Sequence, residues 1–349
     1  MAHAEGDTKS TGAYFSSALF SVGLAALAAA AIMNWQRSWM AFLFMGSDQF
    51  AFLIPAISVA FIGITLHSLC YAYFRGTLEI SHANILQMVN MGVVPLLVFS
   101  VWRTTVEEVM YALGICWVTG SLIAMLFIPT RHTIASMVPA IKQLLRYGLP
   151  RVPGDFAMMG FLALPVTLVA HLSGVREAGY AAFGISVLTA IGSVFTPVGV
   201  VLLPQASRLV AKGALQEFKR NTLHLLKLGT GLALLITLAG EILAGPLITL
   251  YLGPEFFGMV GIFRIVILAA LPYATYILLR NVIDAVHVRP VNMFNILISF
   301  AIFLGSSLAV QAVSGGLMHV LVSFVVGISA LGILSGWETR KIFSGAEPA

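Results

Sequence analysis

The sequence predicts an all-α integral membrane protein of about ten transmembrane helices, grouped as two related bundles of four and six. Three observations carry this. Only 9% of the 349 residues are charged and 59% are hydrophobic, with a mean hydropathy of +0.96, whereas a soluble globular chain carries about 25% charge. The apolar residues fall in blocks such as 51–72 and 179–203, long enough to cross a hydrocarbon layer about 30 Å thick. Finally, the lysines and arginines collect in alternate connections between the blocks.

The first block, 16–33, is rich in alanine, but only Lys9 precedes it, beside Glu5 and Asp7. It therefore reads as a retained helix and not as a cleaved signal. The connection 34–48 is the longest expected on the outer side. Spans follow at 50–72, 85–101 and 109–129, closing an N-terminal bundle over residues 1–130. Residues 131–147 form a cytoplasmic linker in which Ile134, Met137, Val138, Ile141, Leu144 and Leu145 recur at three and four. Lys142 and Arg146 stand off that stripe, which is the pattern of an interfacial helix.

The C-terminal bundle, 148–349, opens with "YGLPRVPGDF" at 147–156. Pro150 and Pro153 lack amide donors and suit a first turn, Arg151 suits the headgroups, and Asp155 favours a helix N-terminus. Six spans follow at 153–172, 179–203, 226–248, 260–279, 291–312 and 317–336. Residues 205–227 read as a second, less regular interfacial helix or as a solvated connector. Gly332 and Gly336 form a small-xxx-small pair that suits helix packing.

A cytoplasmic N-terminus places fifteen of the nineteen cations inside: Lys9, Arg75, Arg131, Lys142, Arg146, Arg151, Arg208, Lys212, Lys219, Arg220, Lys227, Arg280, Arg289, Arg340 and Lys341. Arg37, Arg103 and Arg176 fall outside, and Arg264 lies within a span. Both termini are thus expected in the cytoplasm. The net charge of +5 belongs to a membrane face, which makes anionic lipid the expected partner and excludes nucleic acid as a natural one.

Arg75 and Arg280 each end a span, and Asn-Ile-Leu follows at 84–86 and 295–297. If this is a repeat, spans one to four correspond to seven to ten. Spans five and six then have no counterparts, and the chain is shortened relative to a six-plus-six transporter.

Ionisable groups inside spans cost about 2.5–3.5 kcal/mol each at the bilayer centre, so they are functional candidates by default. They are Asp155, His171, Glu241, Arg264, Arg280 and Asp284, with Arg75 at a boundary. Arg75, Arg151 and Arg280 can form a cytoplasm-facing vestibule for pyrophosphate, since guanidinium forks bind phosphate oxygens bidentately. The same arginines also serve as ordinary topology anchors. Asp155 can cap its helix, pair with an arginine or take a coupling cation; Asp284 can pair within the membrane or take a coupling cation. Glu241 and Arg264, on adjacent helices, can pair with each other. Cys70 and Cys116 lie inside apolar spans and suggest no disulfide framework. Walker loops, paired metal ligands and nucleotide-binding glycine turns are absent, so no cofactor or metal is expected and the chain is not read as an enzyme.

The stretch "LLRYGLPRVPGDFAMMGFLALPVTLVAHLSGVREAGYAAFGISVL", followed by "TPVGVVLLPQASRLVAKG", resembles the second lobe of polysaccharide flippases of the multidrug/oligosaccharidyl-lipid/polysaccharide flippase superfamily, especially the O-antigen type. Gly148-Leu149-Pro150, Glu177-Ala178-Gly179-Tyr180, Leu203-Pro204 with Ser207, "LYLGPEFF" at 250–257 and Arg75-Gly76 carry the likeness. It implies an inner-membrane protein that moves a polyprenyl-pyrophosphate-linked glycan outward by alternating access, alongside other polysaccharide-assembly membrane proteins. The alternatives are a cation-coupled drug or metabolite exporter of the same superfamily, and a membrane glycan polymerase or acyltransferase.

Overall fold

The structure, a computed structural model, describes residues 8–101, 105–128, 134–211, 215–287, 290–314 and 316–344. Arg103, Arg131, Lys212 and Arg289, which entered the charge count, lie outside the described residues. Among those described there is no strand, and nine helices are long and apolar enough to cross a membrane, ten if one bent pair counts as a span. The chain divides into two compact units, 1–150 and 151–349.

In the first unit α1 (Thr8–Trp35) is followed by a short α2 (Arg37–Met45), so the stretch read as an outer loop is itself largely helical. Trp35, Trp39 and Phe42 are exposed there, as aromatic residues are at a membrane–water boundary. A 3-10 segment, Asp48–Leu53, leads into α3 (Ile54–Gly76). Then come α4 (Ile80–Met88), a π-helical stretch Val89–Val93 and α5 (Val94–Val101), which together make one span. α6 (Val106–Met125) starts at Thr105, whose side chain accepts from the Glu108 amide.

α3 and α6 cross closely because both are small where they meet. A Cβ on Gly114 would lie 2.6 Å from the Ala60 nitrogen, and one on Gly63 2.9 Å from the Gly114 carbonyl oxygen. Lipid tails are as apolar as leucine, so such close backbone contact is what holds membrane helices together. α7 (Ile134–Gly148) packs on α1: the Ser17 hydroxyl donates to the Met137 carbonyl at 3.1 Å, and the Tyr14 hydroxyl donates to the Gln143 side chain. That contact buries Ala140 and leaves Val138 and Leu145 outward.

The second unit opens with a 3-10 turn, Leu149–Arg151, and α8 (Val152–Ser173), with Pro153 in its first turn. α9 (Val175–Ala211) and α10 (Leu215–Tyr251) are 37 residues each. The 205–227 segment is thus not a separate interfacial helix: the backbone of both long helices simply continues beyond their apolar parts. The eighth span is broken. A 3-10 turn, Pro254–Met259, and α11 (Val260–Ile267) bend by 41° into α12 (Ala270–Val286). α13 (Val291–Ser314) and α14 (Leu317–Ser344) complete it.

Its core is aromatic, with Phe161 5.4 Å from Phe300 and 5.9 Å from Phe303, and Phe303 meeting Phe324 edge-on at 6.5 Å. Gly332 packs α14 on α12, since a Cβ there would meet the Pro272 carbonyl at 2.8 Å. Gly336 does not: a Cβ there meets nothing within 4 Å. The expected packing pair is therefore half a pair.

Candidate functional site

The ionisable residues singled out by sequence fall into separate settings. In the first unit Arg75 sits in the last turn of α3, exposed, with its guanidinium 5.6 Å from the Tyr71 ring centre. The turn after it is fixed by three bonds to the helix end: Thr77 N–H and Oγ1 to Tyr73 O at 2.9 and 3.1 Å, and Glu79 N–H to Phe74 O at 2.8 Å. Leu78 is held at φ 62 in the process, a conformation that costs a non-glycine residue about 1–3 kcal/mol. Arg75 therefore stands at the tip of a turn held by its backbone.

In the second unit Arg151 is exposed at the start of α8, and Asp155 is exposed in the same helix's first turn. Arg280 is exposed on α12, 5.9 Å over the Tyr276 ring. Asn292, near the start of α13, donates from Nδ2 to the Arg280 carbonyl at 2.8 Å and to Asp284 Oδ1 at 2.7 Å. One amide thus ties the last turns of α12 to the next helix. Gly154, next to Asp155, packs on Met293, next to Asn292, where a Cβ would lie 2.9 Å from the Met293 Cγ. The fold thereby gathers three of the predicted residues at one end of this unit. An anionic group brought there meets the Arg280 guanidinium, which stands over the Tyr276 ring and has no carboxylate within ion-pair distance among the described residues.

Glu241 and Arg264 stand apart from that set, on α10 and α11, with Oε2 and Nε 3.9 Å apart. His171 is exposed in the last turn of α8. The two Asn-Ile-Leu motifs are not equivalent in surroundings: Asn84 is exposed and Asn295 buried.

The sequence reading left out a buried polar cluster in the first unit. Asn90, in the π-helical stretch, is wholly buried and its Nδ2 reaches His67 Nδ1 at 3.2 Å and Ser121 Oγ at 3.4 Å. His67 Nε2 lies 3.1 Å from Gln87 Oε1. Trp117 Nε1–H donates to the Asn90 carbonyl at 2.6 Å, which fits the wider backbone pattern of a π-helical turn. The Asn90 Oδ1 has no partner among the described residues and faces Gly120, where a Cβ would collide with it. The signal was available: His67 and Asn90 both lie inside predicted spans, where polar groups are functional candidates. No group of three or more metal-ligating side chains occurs among the described residues.

Comparison with known proteins adds the following. Residues 5–261 match the profile of a family described as polysaccharide biosynthesis protein. The solved eukaryotic MATE transporter AtDTX14 is 11% identical with a TM-score of 0.76, the match covering 98% of this chain and 83% of that one. A multidrug resistance MATE family transporter of the MOP superfamily, solved facing inward, is 13% identical with a TM-score of 0.76, covering 97% and 88%. The lipid II flippase MurJ is 14% identical with a TM-score of 0.72, covering 95% and 74%. No curated protein matches the sequence. At such identities the likeness establishes the fold: the chain is a multi-pass membrane protein with the helical architecture of these transporters.

Proposed function

Because the chain belongs to the family of polysaccharide biosynthesis proteins, we propose that it is a flippase that moves a polyprenyl-pyrophosphate-linked oligosaccharide across the inner membrane for surface polysaccharide assembly. The family match over residues 5–261 is the observation that carries this reading. A fold shared with a lipid II flippase supports a lipid-linked substrate.

Movement by alternating access draws its direction from an ion gradient or from the gradient of the substrate itself, because differential affinity for the inward and outward states shifts only their populations. Arg280 and Arg151 in the second unit, and separately Arg75 in the first, are assigned to pyrophosphate on the cytoplasmic side. A guanidinium presents a rigid donor fork to phosphate oxygens, which lysine cannot reproduce. Asp155 and Asp284 are assigned to intramembrane pairing or to a coupling cation. Both termini are cytoplasmic in this reading, following the distribution of cations.

The test is deletion of the gene followed by leaflet-specific labelling of lipid-linked glycan. Loss of outward movement, restored by the wild-type chain and not by Arg280→Ala, is expected. Normal outward movement in the deletion strain overturns the reading. Restoration by Arg280→Ala removes that residue from the site and leaves the class intact. A deletion strain that exports glycan normally but accumulates a small amphipathic cation is the outcome for a drug or metabolite exporter.

A further inference from the structure

A cleft in the second unit has none of the Arg280, Asp284 and Asp155 set in its lining and has no part in the transport reading. It lies among the N-terminal part of α10, the C-terminal part of α12 and the last turns of α14, and encloses about 390 Å³. Its two sides differ chemically. Lys219, Arg340, Thr339 and Ser344 supply cations and hydroxyls, while Leu223, Leu226, Leu279 and Phe343 supply an apolar wall. The wall is firm, for Leu279 is fully buried and Phe343 packs edge-on against the buried Phe218 at 5.8 Å.

Neither cation facing the cleft has a counter-charge among the described residues. Lys341, one residue from Arg340, is bonded to Glu338 at 2.9 Å and lies 4.6 Å over the Trp337 ring. Lys219 and Arg340 have no carboxylate within ion-pair distance among the described residues. Gly336 lines the same cleft, and a Cβ there meets nothing within 4 Å. That glycine, expected to pack helices, instead leaves room.

We propose that this cleft binds the headgroup of an anionic phospholipid, with the phosphodiester between Lys219 and Arg340 and the start of an acyl chain along Leu223, Leu226 and Phe343. Two unpaired cations beside an apolar wall match a ligand that is anionic at one end and apolar at the other. A zwitterionic headgroup would bring its own ammonium toward Lys219 and Arg340. Free phosphate would use the cations and leave the leucines idle. Basic clefts between transmembrane helices are known sites for such headgroups, and each cation near an anionic surface contributes about fivefold in binding.

The test uses the full chain purified in detergent with equal phosphatidylglycerol and phosphatidylcholine of matched acyl chains, and counts retained lipid by native mass spectrometry. Preferential retention of one phosphatidylglycerol is expected. The pair Lys219→Gln and Arg340→Gln lowers retention about 25-fold, taking the two cations as independent. Gly336→Leu, which changes no charge and fills the cleft, lowers it as well. Equal retention of the two lipids overturns the proposal, as does unchanged phosphatidylglycerol retention in both variants. Displacement by millimolar inorganic phosphate as readily as by a short-chain phosphatidylglycerol assigns the site to free phosphate and also overturns it. The measurement reads binding alone, so its outcome is independent of whether the chain moves a glycan.

Discussion

Replacing Asn90 by leucine should cost little stability, although Asn90 is wholly buried at the centre of the polar cluster. Two interhelical hydrogen bonds are lost, to His67 and to Ser121, and such bonds average about 0.6 kcal/mol in a membrane protein. The His67 Nδ1 is then left without a donor, at about 1–3 kcal/mol. Against this, the change removes Oδ1, an acceptor already without a partner, which returns about 1–3 kcal/mol. The last two effects oppose each other at one size, so the net loss is about 1 kcal/mol, the two bonds alone. The Trp117 bond survives because it is made to the backbone carbonyl. Phe161→Ala is the internal standard, since emptying a packed aromatic site costs about 3–5 kcal/mol. Reversible unfolding in mixed micelles, followed by intrinsic fluorescence, compares the two. An Asn90→Leu loss as large as that of Phe161→Ala would refute the reasoning and show that the cluster holds the fold together.

Three further outcomes follow from the geometry. Gly114→Leu should destabilise by about 1–3 kcal/mol or more, because its new Cβ meets Ala60 and Val59 backbone atoms that cannot turn aside; a melting curve equal to wild type would show that α3 and α6 do not cross there. Glu241→Leu or Arg264→Leu alone should each destabilise more than the double substitution, since a lone charge within a span costs about 2.5–3.5 kcal/mol and the pair shares that burden; additive losses in a double-mutant cycle would dissolve the pair. Single cysteines replacing Lys142 and Lys219, both exposed, should react with an impermeant maleimide only after the membrane is opened, and labelling of either from outside would overturn the proposed cytoplasmic placement.

The nine or ten spans among the described residues were legible because crossing hydrocarbon imposes one requirement, about twenty apolar residues with satisfied backbones, and this is written in consecutive positions. The entry at Pro150 and Pro153 was legible for a similar local reason: α8 begins at Val152, where a missing amide donor costs nothing. Other features were missed. The 41° bend between α11 and α12 falls at Leu268–Ala269, just before Pro272, which has no amide to bond the Leu268 carbonyl. The role of Gly336 could not be told from that of Gly332 four residues earlier, because spacing records which face a glycine is on and not whether a neighbour comes close.

The cluster of His67, Gln87, Asn90 and Ser121 shows the division most clearly. Composition and hydropathy alone determined that these side chains lie in spans 50–72, 85–101 and 109–129 or beside them, and that a bilayer would make them costly if unpaired. Which of them meet was decided by the close approach of α3 to α6 at Gly63 and Gly114, together with the π-helical turn that sets Asn90 toward Ser121. Hydrophobicity acts on each residue singly and so can be read along the chain. Hydrogen bonds and close backbone contacts act between residues tens of positions apart, and they exist only once the helices have packed.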